Sequence, residues 1–165
     1  DGVGGLDGGY SIAVNPDPDG PQGPLAGGQD VYVASRQSSA IAHFTRDALD
    51  DGRLAYVTSY VDGEGGIDGL GGAGSLALSP DGLHVYATGT LDNAVVVFER
   101  NPADGALTYL GAQYEGDPGL DGLEGAFGVA VSPDGENVYV TGEVDDTLVV
   151  FARNKQTGAL TFVGR

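Results

Sequence analysis

Ser79-Pro80-Asp81-Gly82-Leu83-His84-Val85-Tyr86-Ala87-Thr88 returns as Ser132-Pro133-Asp134-Gly135-Glu136-Asn137-Val138-Tyr139-Val140-Thr141, and the reading of this pair decides the fold. In each copy Pro pre-sets the backbone of a tight turn, Gly accepts positive φ, and a β-rich run follows. An earlier Val31-Tyr32 lies 54 residues before Val85-Tyr86, and Val138-Tyr139 lies 53 after it. Phe44, Phe98 and Phe151 keep those offsets, as do Arg46, Arg100 and Arg153. Gly52, Gly105 and Gly158 recur every 53 residues. When residues 66–111 are set on 119–164, 26 of 46 positions are identical, which shared composition does not produce. The chain is a tandem repeat.

Each copy reads as four short strands. In the third, Phe127, Val129 and Val131 alternate with Gly128, Ala130 and Ser132, the period of a half-buried strand. Residues 138–141, 147–152 and 160–163 supply the second, third and fourth strands, with a turn at 154–158. No stretch carries a helical period. The predicted fold is all-β: propeller blades of four antiparallel strands, three per chain. The blades span residues 1–60, 61–113 and 114–165, and the first carries a ten-residue insertion within 17–29. Three blades are too few to close a ring, so the expectation is completion by other copies or by a longer parent chain. The start at Asp1 without a methionine leads to the same expectation, a processed product or a piece of something longer.

Composition narrows the function. There are 30 Gly, 8 Pro and no Cys, Met or Trp among 165 residues. Absent cysteine excludes disulfides, thiolate zinc sites and cysteine nucleophiles. With 18 Asp and 6 Glu against 7 basic residues, the formal charge is −17. Such a field repels nucleic acid and anionic membranes and favours cations. No apolar run reaches the ~18 residues of a membrane-spanning helix, and none of these residues reads as a signal peptide. A calcium-rich or salty extracellular setting suits this charge, as does a halophile's cytoplasm; extracellular or cell surface is the expected location.

Strand direction places the inter-blade linkers and the loops between second and third strands on one face. Asp1, Asp7, Asp92, Asp145 and Asp146 fall there, together with two acidic Gly-rich loops. Asp62, Glu64 and Asp68 in the first loop, and Glu115, Asp117 and Asp121 in the second, are the candidate calcium ligands. Hard cations take several oxygens, and glycine lets backbone carbonyls join them. Asp17 and Asp19, in Asn15-Pro16-Asp17-Pro18-Asp19-Gly20, resemble the opening of a calcium loop, but its twelfth position is Ala26 rather than Glu. Calcium is the expected cofactor, if there is one. Solvated turns account for the same residues. His43 takes a core position held by Val97 and Val150, which reads as structural, and His84 aligns with Asn137 beside a turn, where it is expected to be exposed. The arginine in every blade reads as a structural pair with a carboxylate or carbonyl. The Gly-rich stretch 69–74 lacks a following Lys and helix, so it is no phosphate loop. Tyr10, Tyr60, Tyr114 and Phe127 lie near the starts of blades and are the available sugar platforms.

The Ser-Pro-Asp-Gly turns followed by Val85-Tyr86-Ala87-Thr88 and Val138-Tyr139-Val140-Thr141 resemble the YVTN-type propeller repeat. Val97-Phe98-Glu99-Arg100 with Gly105-Ala106-Leu107-Thr108, and Val150-Phe151-Ala152-Arg153 with Gly158-Ala159-Leu160-Thr161, resemble the longer form in lactonase-like seven-bladed propellers. The resemblance implies that fold; the group holds phosphogluconolactonases, muconate-lactonising enzymes, surface-layer repeats and large secreted proteins. No catalytic motif of the enzymes is matched, so no catalytic residue is carried over. The leading expectation is a noncatalytic extracellular repeat protein that self-associates tail to head, with other copies of itself as partners. A module binding calcium or carbohydrate is the alternative, and a lactonase-like hydrolase the second alternative.

Overall fold

The computed structural model describes residues 4–15, 30–47 and 51–165. They form twelve strands: β1 (Gly9–Val14), β2 (Asp30–Ser35), β3 (Ala40–Asp47), β4 (Arg53–Val61), β5 (Ala73–Leu78), β6 (His84–Gly89), β7 (Ala94–Arg100), β8 (Leu107–Tyr114), β9 (Ala126–Val131), β10 (Asn137–Gly142), β11 (Thr147–Arg153) and β12 (Leu160–Gly164). No helix occurs among the described residues. Three four-stranded antiparallel sheets follow one another along the chain, β1–β4, β5–β8 and β9–β12, each with neighbouring strands in sequence order. They are propeller blades. The insertion at 17–29 lies outside the described residues.

The turns follow from the local chemistry. In Ser79-Pro80-Asp81-Gly82 the Gly82 N–H donates to the Ser79 carbonyl at 2.8 Å, with Gly82 at φ 69°. Asp81 Oδ1 accepts from the Ser79 hydroxyl and from the Leu83 N–H, so the side chain rigidifies the turn as an Asx motif does. Asp134 repeats this with Ser132 and Glu136. The hairpins joining second and third strands instead place Ser39, Asn93 and Asp146 at positive φ, which Asn and Asp tolerate well.

The first strands of successive blades make the closest approach between sheets, β1 to β5 and β5 to β9. Alternation on the strands sorts the core. Tyr32, Ala34 and Ile41 face Leu70, Leu76, Val85, Val96 and Phe98. Tyr86, Val95 and Val97 face Leu123, Val138, Val149 and Phe151. The middle blade is thus covered on both faces, and every residue of β6 is buried.

Each junction is fastened by an arginine. Arg100 Nε donates to the Tyr32 hydroxyl at 3.1 Å, and Tyr32 in turn donates to the Gly105 carbonyl at 2.6 Å. Arg100 also pairs with Asp30 and donates to the Gly82 carbonyl. One blade on, Arg153 bonds Tyr86, Gly135 and Asp81, and Tyr86 donates to the Gly158 carbonyl. The recurring arginine reaches back into the preceding blade, where it meets a carboxylate and a tyrosine hydroxyl, and it also donates to a turn carbonyl of its own blade.

Candidate functional site

The ladder slips at the start of every blade. Pairing of β1 with β2 shifts between Gly9 and Ser11, that of β5 with β6 between Ala73 and Leu76, and that of β9 with β10 opposite the Val140–Gly142 step. Such bulges bend a strand and re-aim its side chains. Tyr10, Gly74 and Phe127 occupy equivalent places at these bulges. The middle one has no side chain, and the rings of Tyr10 and Phe127 meet across it, edge to face with centroids 5.4 Å apart. Tyr10 remains 59% exposed. A Cβ at Gly74 would approach Phe127 Cδ2 to 3.4 Å and Thr90 Oγ1 to 2.7 Å.

Hydroxyls surround this pair, where the first strands converge. Thr88 Oγ1 donates to the Phe127 carbonyl at 2.6 Å and accepts from the Ser75 N–H at 3.0 Å. Thr141 Oγ1 accepts from the Gly128 N–H at 2.8 Å. Thr90 Oγ1 is buried without a hydrogen-bond partner. Thr90 shares its repeat position with Arg36 and Glu143. The N–H of each donates to an equivalent glycine carbonyl, Gly8, Gly72 or Gly125. Scaffold positions repeat between blades; this one changes from cation to hydroxyl to carboxylate. That contrast was available in the aligned repeats, whereas the bulges and the Tyr10–Phe127 contact were not.

The acidic loops resolve differently. Asp62 Oδ1 accepts from the Leu70 N–H at 2.9 Å, and Glu115 Oε2 accepts from the N–H groups of Gly122 and Leu123. Asp92 and Asp145 accept from the linker N–H groups of Gly71 and Glu124. These carboxylates fasten the linkers to the blades, at the same place in successive repeats. Asp117 Oδ2 accepts from the Tyr114 N–H, and Asp68 Oδ2 from the Tyr114 hydroxyl. Burial first and the Asp68 hydrogen bond second push the Tyr114 hydroxyl above its ordinary range. Asp121 pairs with Arg165 at 2.7 Å, and Glu64 is exposed. Glu115 and Asp121, with Asp145, bring one oxygen each within 4.8 Å of one another. Among the described residues Asp62, Glu64 and Asp68 form no such group. Asp17 and Asp19 lie outside the described residues. Because Glu115 satisfies two linker donors, Glu115→Ala is expected to cost about 2 kcal/mol and Glu115→Gln less, read from urea unfolding midpoints.

Both histidines are buried. His43 is fully buried, stacked on Tyr32, with Nε2 donating to Asp30 Oδ1 at 2.9 Å. His84 is buried in the next junction, not exposed beside its turn as its alignment suggests, because the third blade closes over it.

A sequence model of the family described as "Lactonase, 7-bladed beta-propeller" matches residues 67–165, more than half of the chain. The chain belongs to this lactonase propeller family. A 6-phosphogluconolactonase of Formosa agariphila is 30% identical over 115 residues, covering 68% of this chain and 31% of that protein. The periplasmic gluconolactonase of Pseudomonas aeruginosa superposes with a TM-score of 0.71 at 27% identity, over 92% of this chain and 38% of its own. A Lactobacillus plantarum protein gives 0.72 at 21% identity, over 94% and 41%, a likeness of fold alone. The lactonase-family chain therefore spans about a third of the length of its relatives. These kinships overturn the leading expectation of a noncatalytic, self-associating repeat protein and favour the lactonase-like reading. The physical reason is that repeated residues report the scaffold, which members of a fold share whatever chemistry their axial loops carry.

Proposed function

We propose that this chain supplies three blades of a lactonase-like hydrolase that opens a sugar lactone. The observation that carries the reading is the place where the first strands of the three blades converge, the axial mouth, in which bulged strand starts hold Tyr10 against Phe127 beside the unpartnered Thr90 hydroxyl. Ligand sites of this kind combine an apolar wall with a few polar groups that fix orientation. An aromatic face suits the C–H face of a sugar ring, and hydroxyls suit its oxygens. The kinship with proteins named 6-phosphogluconolactonase and gluconolactonase supports the choice of reaction. Water adds to the lactone carbonyl, the ring C–O ester bond breaks, and the leaving oxygen takes a proton to give a hydroxy acid. The periplasmic relative supports a location outside the cytoplasm.

The test is acid release from aldonic δ-lactones, followed at constant pH with the natural protein that contains this sequence. Turnover above the buffer rate is expected. Tyr10→Ala and Phe127→Ala should each lower kcat/KM about fivefold, since an aromatic contact contributes ~1 kcal/mol beyond its area. Binding of the lactone without acid release would replace the hydrolase with a sugar-binding module. Rates indistinguishable from buffer, with no binding, would end both readings.

A further inference from the structure

The two junctions share an arginine and a tyrosine but differ in what faces the arginine: Asp30 with His43 in the first, Asp81 with His84 in the second. At the opening of the second strand the first blade carries Asp30 and the second carries His84. Asp30 is a carboxylate partner for Arg100. In the next junction His84 Nδ1 lies 2.8 Å from Arg153 Nη2. A guanidinium has only donors, so Nδ1 must be the acceptor and the ring must be neutral, with its proton on Nε2. The site is closed: His84 is 2% exposed, and a Cβ at Gly158 would overlap its ring carbon Cδ2. Three charged groups face the imidazole from the elements around it. They are Arg153 from β11, Asp81 from the turn before β6, and Glu99, its partner across the β6–β7 ladder.

We propose that the junction between the second and third blades is a proton-sensitive latch, in which protonation of His84 removes one of the acceptors of Arg153 and loosens the third blade. An imidazolium here would set two donors and two cations face to face at a buried ring, with Asp81 shared between them as the anion that pairs Arg153. Burial first and Arg153 second hold the ring below its ordinary value of 6.5, against the weaker opposite pull of Asp81 and Glu99. The sign follows directly. Unfolded chains bind the proton more readily, so the stabilisation is complete above pH 6.5 and is lost as pH falls from there through the lower folded value. The first junction, with Asp30 in this place, keeps its charge pair over that range.

The experiment compares thermal unfolding of the full chain with that of His84→Asn between pH 7.5 and 5. Asparagine stands at the equivalent place in the third blade, Asn137, and offers an oxygen acceptor that does not titrate. The wild-type Tm should fall by about 3 °C more than that of the variant over this interval. In parallel, ring-nitrogen NMR of the wild type should report a neutral Nε2–H tautomer at pH 7 and titration below 6.5. Parallel Tm profiles, or a ring that titrates at or above that value, would overturn the latch. If the variant does not fold, the ring-nitrogen titration of the wild type decides alone.

Discussion

Arg100→Ala is expected to lower stability by about 4 kcal/mol, the largest loss for a single polar side chain in this chain. Asp30 and Arg100 are 7% and 5% exposed at the side chain, so the ion pair is enclosed between two blades. Burial alone would raise the Asp30 carboxyl. Hydrogen bonds from His43 and Arg100 together outweigh it and hold the group below its ordinary 3.8. Truncating Arg100 leaves a buried carboxylate hydrogen-bonded to His43, and takes a donor from the Tyr32 hydroxyl and from the Gly82 carbonyl. The loss is mostly the penalty of the stranded charge. Asp30→Asn combined with Arg100→Met should therefore recover much of it, by removing charge from both sides while keeping the volume. Urea unfolding at pH 7 measures all three variants. A loss below ~1 kcal/mol for the single variant would mean that water reaches Asp30 and that the junction is softer than its geometry. Because the folded carboxyl titrates below 3.8, its stabilisation is full above that value and is lost as acid takes the pH through the lower folded value.

That junction also marks how much could be read beforehand. The repeat offsets of Val31, Val85 and Val138, and of the three arginines, follow from the sequence because every blade solves the same packing problem. Strand identity, turn chemistry and blade count follow with them. Asp30 as the partner of Arg100 did not, since the contact crosses 70 residues and sits at a position that changes to His84 and Asn137. The acidic loops were legible as a charged face, but not as fasteners. A carboxylate that accepts from a linker N–H, as Asp62 and Glu115 do, has the same sequence signature as one awaiting a cation. The axial mouth was least legible, because it depends on bulges that alter which way Tyr10 and Phe127 point without altering the strand pattern. Function was hidden because the repeated positions carry the scaffold, which members of a fold share whatever chemistry they perform.

Gly89→Ala is the second large effect, expected at about 3 kcal/mol despite adding only one methyl group. Gly89 does not need positive φ, so substitution should by itself stabilise the chain slightly by restricting the unfolded state. The obstacle is the linker. A Cβ at Gly89 would overlap the Gly69 carbonyl oxygen and come within 2.8 Å of its carbonyl carbon, and both are backbone atoms that cannot rotate away. Gly142 faces the Gly122 carbonyl in the same manner, which makes the pair a close approach of linker to sheet repeated in the second and third blades. The first blade has Ser35 at this place, so its linker must take another path. The hydrogen bonds agree: Leu91 donates to the Gly71 carbonyl and Val144 to that of Glu124, whereas in the first blade Ser38 rather than Gln37 donates to the equivalent Asp7 carbonyl. Gly164→Ala, where a Cβ would meet nothing within 4 Å, is the control and should be close to neutral. Urea midpoints for Gly89→Ala, Gly142→Ala and Gly164→Ala decide the matter. If the first two match the third, the linker yields at little cost. If they fall together while Gly164→Ala does not, the linker is clamped to the sheet, and the loops it carries to the axial mouth are held by backbone contact as well as by Asp62 and Glu115.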